Sequence, residues 1–140
     1  METKRELIAL LHAFPGQEEG DLEQLDEVVA GALALRQDSE LDAALFSVFE
    51  RYPDEDGYGV YWSILHGLEA RSDYEPGLLA SVRRKPSVFA ATMLNRMSNG
   101  GHDTCSGVAT IDLLIEISRS ADASEKTKRT AGGFIELHRG

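Results

Sequence analysis

Apolar residues recur at helical spacing along almost the whole chain. In residues 4–14, Leu7, Leu10, Leu11 and Phe14 stand at i, i+3, i+4 and i+7, one face of an amphipathic helix. Thr3 is placed to cap it, Glu6 completes a capping-box pattern, and Pro15 with Gly16 ends it. Residues 21–36 predict a second helix. Asp21 is its N-cap, acids crowd its first turn where the helix dipole favours them, and Leu22, Leu25, Val29, Ala32 and Leu33 share a face. Residues 40–52 give the clearest periodicity, through Leu41, Ala44, Leu45, Val48, Phe49 and Tyr52. Ser39 is the expected N-cap there and Pro53 the stop.

The turn Asp54-Glu55-Asp56-Gly57 leads into a fourth helix over 57–70. Val60, Tyr61, Trp62, Ile64, Leu65 and Leu68 cover more than half its circumference, which predicts a mostly buried helix with Trp62 in the core. Gly59, Ser63 and Gly67 form a stripe of small residues that predicts close approach of a neighbouring backbone. Two shorter helices follow over 76–84 and 87–98, separated by Pro86, with Pro76 at the start of the first and Ser87 capping the second. Asn99-Gly100-Gly101 ends the second, and 100–105 reads as a loop. Residues 106–119 read as a central helix. Their β-branched content is compatible with a strand, but their length and the polar stripe Asp112, Glu116 and Arg119 favour a helix. A last helix over 123–138 places Ala131, Phe134, Ile135 and His138 on one face, weakened by Gly132 and Gly133.

The pattern predicts one all-α domain over residues 1–140, built from seven or eight short helices. Natural pairs over 40–70, 76–98 and 106–138 suggest stacked helical hairpins, a HEAT-like α-solenoid, with an irregular helical bundle as the alternative.

Charge adds the first functional hint. Acids outnumber bases 24 to 14, for a net charge of −10. Residues 1–60 hold 15 acids against 4 bases and residues 61–140 hold 9 against 10, so the whole excess lies in the first part. Such a field repels nucleic acid and attracts a basic partner. No apolar run is long enough to span a membrane, and the start, Met1-Glu2-Thr3-Lys4-Arg5-Glu6, does not read as a signal peptide. With a single cysteine, Cys105, the expectation is a cytoplasmic protein without disulfides.

No pattern in the chain points to catalysis, a cofactor or a metal. The four histidines never pair at i, i+4, His102-x-x-Cys105 lacks a second ligand pair, and Asp54-x-Asp56-Gly57 lacks the later ligands of a calcium loop. Asp112 and Glu116 read as a solvated face paired with Arg119. The basic runs Arg83-Arg84-Lys85 and Lys126, Lys128, Arg129 read as helix-terminal and surface charge. Tyr52, Tyr58, Tyr61, Trp62 and Tyr74 cluster beside Asp54, Glu55 and Asp56; of these, Tyr58 is the one expected at the surface. Tyrosine beside carboxylates is a composition suited to gripping Arg or Lys on a partner.

The stretch Phe49-Glu-Arg-Tyr-Pro-Asp-Glu-Asp-Gly-Tyr-Gly-Val-Tyr-Trp-Ser-Ile-Leu-His-Gly-Leu-Glu69, followed by Met93-Leu-Asn-Arg-Met97, resembles small helical immunity proteins of bacterial polymorphic-toxin and contact-dependent inhibition systems. The resemblance implies a protein that is not an enzyme and that blocks a cognate toxin with a basic surface by stoichiometric binding. The expected contact residues are Asp54, Glu55, Asp56 and Tyr58, together with Asp21, Glu23, Asp26 and Glu27. If these acids touch the partner and nothing else, charge reversal at Asp54 to Asp56 weakens binding and leaves the melting temperature unchanged. A helical-repeat adaptor, or less readily an enzyme of unrecognised type, are the alternatives.

Overall fold

The computed structural model describes residues 3–139; Met1 and Glu2, part of the expected domain and of the signal-peptide reading, and Gly140, part of the expected domain, lie outside them. The described residues form eight α-helices: α1 (Lys4–Ala13), α2 (Leu22–Ala34), α3 (Ser39–Arg51), α4 (Val60–Glu69), α5 (Glu75–Arg84), α6 (Val88–Asn99), α7 (Thr110–Arg119) and α8 (Glu125–Arg139). A 3-10 turn, Gly57–Gly59, precedes α4. A small antiparallel hairpin, β1 (Thr104–Cys105) and β2 (Val108–Ala109), precedes α7. The protein is all-α. None of its described helices is long and apolar enough to cross a membrane.

The helices stack in two layers. In one, α1 packs on α3 and α3 on α5; in the other, α2 packs on α4, α4 on α6 and α6 on α8. The layers meet where consecutive helices touch, most extensively at α1 on α2. Helix α7 lies across α6 and α8, and a groove of about 430 Å³ lined by Val82, Pro86 and Ile115 separates it from the end of α5. This is the stacked-hairpin arrangement, although α3 packs more on α1 and α5 than on its sequence neighbour α4.

Helix α3 is the centre. Leu41, Ala44, Leu45, Phe46, Val48 and Phe49 are all buried, on more than one side of the helix. Phe49 stacks on Phe89 at 5.0 Å between ring centroids, and Tyr61 closes on both rings. Burying one such ring stabilises the fold by about 1.5–3 kcal/mol. Helix α7 is less central than its composition suggests. Leu113, Leu114 and Ile117 are buried, but Ile111 and Ile115 are only half-buried and the polar stripe faces solvent.

Four arginines strap α3, α4, α5 and α6 each to the helix two before it. Arg51, at the end of α3, donates to the Leu11 and Phe14 carbonyls at the C-terminus of α1, at 2.5 and 2.7 Å. Arg71, just past α4, donates to the Ala32 carbonyl in the last turn of α2 at 3.1 Å and pairs with buried Asp42 at 2.8 Å. Arg84 of α5 grips Glu50 of α3 through two bonds of 2.7 Å, and Arg96 of α6 holds Glu69 of α4 at 2.9–3.0 Å. The first two straps give a side-chain donor to helix-end carbonyls, of which Leu11 and Ala32 otherwise receive the N–H of the cap residue.

Local expectations fare unevenly. Thr3, Asp21 and Ser87 cap α1, α2 and α6 as expected. The Glu6 carboxylate takes the Thr3 hydroxyl. Asp38, one residue before Ser39, caps α3; its carboxylate accepts the Glu40 and Leu41 N–H groups and is held below its ordinary range mainly by Lys4. Residues 104–109, expected as the end of a loop and the start of a helix, form the hairpin instead. Ser106 and Gly107 both take positive φ, the geometry of a tight hairpin turn. Cys105 is buried there, its thiol donating to the Glu75 carbonyl at 3.4 Å and pushed up to about 11 by burial. At the small-residue stripe before and within α4, the atoms nearest the glycine positions do not include neighbouring backbone. Gly59 has open space beside it, Ser63 is exposed, and Gly67 makes room for the Leu33 side chain.

Candidate functional site

The acidic turn between α3 and α4 is a structural hub. Tyr52 donates its hydroxyl to the Phe14 carbonyl at 3.0 Å, and the Pro53 carbonyl accepts the Val88 N–H at 3.0 Å. The Asp54 carboxylate accepts the hydroxyls of Ser124 and Thr127 at the start of α8, and its carbonyl accepts Lys126 Nζ at 3.1 Å. Glu55 Oε1 accepts the Gln17 N–H at 3.0 Å and the Tyr61 hydroxyl at 3.1 Å. In return, Gln17 Oε1 accepts the Gly57 N–H at 2.9 Å. Asp56 accepts the Tyr58 N–H through its side chain and the Gly59 and Tyr61 N–H groups through its carbonyl. Each residue of the turn therefore holds a different part of the fold. Reversing charge at Asp54 or Glu55 breaks these bonds, so those two positions do not separate binding from stability.

Tyr58 differs from the acids beside it. Gly57, Tyr58 and Gly59 have φ of 60°, 48° and 100°, three consecutive residues in the left-handed region. A Cβ on Gly57 would sit 2.4 Å from the Tyr61 ring, so glycine is required there on two counts. For an aromatic residue the left-handed region is rare and costs about 1–3 kcal/mol. The outcome of that strain is a tyrosine 63% exposed, its hydroxyl donating to Glu18 at 2.5 Å. The Glu18 bond holds the Tyr58 hydroxyl above its ordinary pKa.

Across from Tyr58 stands the first half of α2. Asp21 is spent as the cap, accepting the Gln24 N–H at 3.0 Å. Glu23 and Asp26 are exposed at i, i+3 and have no hydrogen bond or ion pair among the described residues. Together with Leu22, Tyr58, Gly59, Val60 and Ser63 they line a groove of about 400 Å³. Glu27 is also exposed, without a side-chain partner among the described residues, but lies outside this groove. The structure thus brings Glu23, Asp26 and Tyr58 together and turns Asp54 towards α8 and Glu55 towards Gln17 and Tyr61.

Trp62, expected in the core, is 40% exposed on α4. Its ring packs on Phe89 at 5.1 Å and lies 5.8 Å from His66, so the outer side of α4 carries an aromatic surface after the Tyr58 turn. Helix α4 is covered by α2 and α6 on its flanks and by α3 beneath, which leaves the Trp62 and His66 side open.

The basic run Arg83-Arg84-Lys85 is spent within the fold. Arg84 pairs with Glu50, Arg83 with Glu116 at 3.5 Å, and Lys85 donates to the Asp122 carbonyl at 2.6 Å. Glu116 therefore pairs across to α5, and not with Arg119 as expected. A polar recess of about 410 Å³ lies between Glu69, Tyr74, Arg96, Asn99 and His102. Its arginine is committed to Glu69, and the Tyr74 hydroxyl is raised above its ordinary pKa, chiefly by burial. Among the described residues the one histidine ring with a side-chain hydrogen bond is His138, on Asn95 at 2.8 Å, and no cluster of three metal-ligating side chains occurs. Comparison with protein-family models, with curated proteins and with solved structures found no match.

Proposed function

We propose that the chain is an immunity protein, which neutralises a cognate bacterial toxin by forming a stoichiometric complex through its acidic surface. One observation carries the reading: an exposed tyrosine, set on a strained left-handed backbone, shares a groove with carboxylates that have no partner among the described residues. Backbone strain clusters at ligand clamps and binding sites, and no hairpin turn accounts for it at Tyr58. Acids without internal partners give a field that speeds the approach of a basic surface, and an exposed aromatic supplies the anchor that slows departure. The two-layer stack of helical hairpins suits a second reading equally, an adaptor that binds a protein of its own cell.

The test is genetic and biochemical. The gene next to this one is expected to encode a toxin. Co-expression should rescue growth of cells producing that toxin, and the two purified proteins should form a complex of fixed stoichiometry. A neighbouring toxin that kills equally with and without this protein overturns the reading, and so does the lack of any neighbouring toxin gene.

A further inference from the structure

We propose that the groove between α2 and the turn before α4 receives an arginine side chain from a basic segment of a partner protein. The inference rests on the binding reading above and assigns its contact chemistry. The groove has three parts. Its floor is apolar and low, from half-buried Leu22 and Val60 and from Gly59, which has no side chain to fill the space. One wall is the exposed Tyr58, its hydroxyl tied to Glu18 and its backbone N–H to Asp56, so the residue is fixed before a ligand arrives. The other wall is α2, with Glu23 and Asp26 free of side-chain bonds among the described residues.

Each part selects for the same group. Unpaired carboxylates favour a cation. An apolar floor suits the methylene stem of a long side chain, which can lie on it while the charged head stays at the acids. An aromatic wall favours a flat, weakly hydrated cation, and guanidinium stacks on such a ring while offering paired donors to carboxylate. Ammonium satisfies the charge alone. A metal ion is a poor fit, because the groove brings together only two carboxylates and no three-ligand cluster.

The probe is a ten-residue peptide of alternating arginine and glycine, compared with its lysine and citrulline equivalents at one salt concentration. Trp62 is the single tryptophan, one helical turn beyond Tyr58, so its emission and the amide NMR shifts of Gly59 and Ser63 report binding. The expected result is saturable binding of the arginine peptide, several-fold weaker binding of the lysine peptide and none of citrulline. Tyr58→Asn, a residue that tolerates left-handed backbone, and the pair Glu23→Gln with Asp26→Asn should each weaken binding at least tenfold. Tyr58→Phe should retain it. A control pair, Asp103→Asn with Asp112→Asn, removes the same charge elsewhere and should change affinity less than twofold. Equal loss in the control pair, equal binding of lysine, or unchanged affinity in Tyr58→Asn overturns the assignment. The same variants in the toxin-rescue assay separate the two ideas. Full rescue by groove variants sinks the groove and spares the immunity reading, whereas peptide binding without any rescue by the unaltered protein does the reverse.

Discussion

Three carboxylates stand in the turn before α4, and three more, Glu23, Asp26 and Glu27, stand on the exposed side of α2. In the turn, Asp54 holds the start of α8, Glu55 holds Gln17 and Tyr61, and Asp56 caps the 3-10 turn. On α2 the three acids hold nothing among the described residues. Composition treats the two groups alike, yet one belongs to the scaffold and the other is left for solvent or a partner. The general point is that an acidic surface becomes informative only after the acids used by the fold have been subtracted.

Substitutions can break this contrast, starting with the carboxylate most committed to the fold. Asp42→Ala leaves Arg71 buried and unpaired, and should cost about 3–5 kcal/mol in urea or thermal unfolding. Glu55→Ala abandons the Gln17 N–H and the Tyr61 hydroxyl and should cost about 1–3 kcal/mol. Asp21→Ala removes one cap and should cost about 1 kcal/mol. Neutralising Glu23, Asp26 and Glu27 together should leave stability within about 1 kcal/mol, since none has a side-chain partner among the described residues and Glu23 alone, in the first turn of α2, gains from the helix dipole. A large loss from that triple change would end the distinction between the two groups.

Alkaline pH sharpens the contrast from the scaffold side. Burial, then Glu55, raises the Tyr61 hydroxyl far above its ordinary 10, and burial raises the Cys105 thiol from 9 to about 11. Both stay neutral in the folded chain at pH values where the unfolded chain has ionised. Their contribution is therefore complete below pH 9 and declines as pH rises, through about 11 for Cys105 and beyond 10 for Tyr61. Urea melts between pH 8 and 11 should show this decline. Tyr61→Phe should reduce the part that begins near pH 10, leaving the share of Tyr58 and Tyr74, and keep the part that begins near pH 9.

Much of the fold is legible in the periodicity. The helices from Lys4 to Arg51 and from Glu75 to Asn99 lie close to where the apolar spacing puts them. What periodicity misses has local causes. The hairpin at 104–109 has strands of two residues, too short to show alternation, and Val108 and Ala109 continue the apolar run of α7. Trp62 is apolar and at helical spacing, but α4 is covered on its flanks and beneath, and its outer side is open. For the candidate site, Tyr58 at the surface follows from its place at a helix start. Its left-handed backbone is hinted at by the flanking glycines alone. The division between spent and unspent acids depends on Gln17, Ser124 and Thr127, residues far away in sequence that no pattern along the chain connects.

The arginine straps have a consequence for how the chain is made. Each reaches back 27 to 40 residues, to a helix already synthesised. At about 5–20 residues per second, a helix leaving the ribosome meets a finished docking place within seconds of its partner's emergence. No strap waits for a segment further ahead, so the layers can be laid down from the N-terminal end in the order in which they are translated.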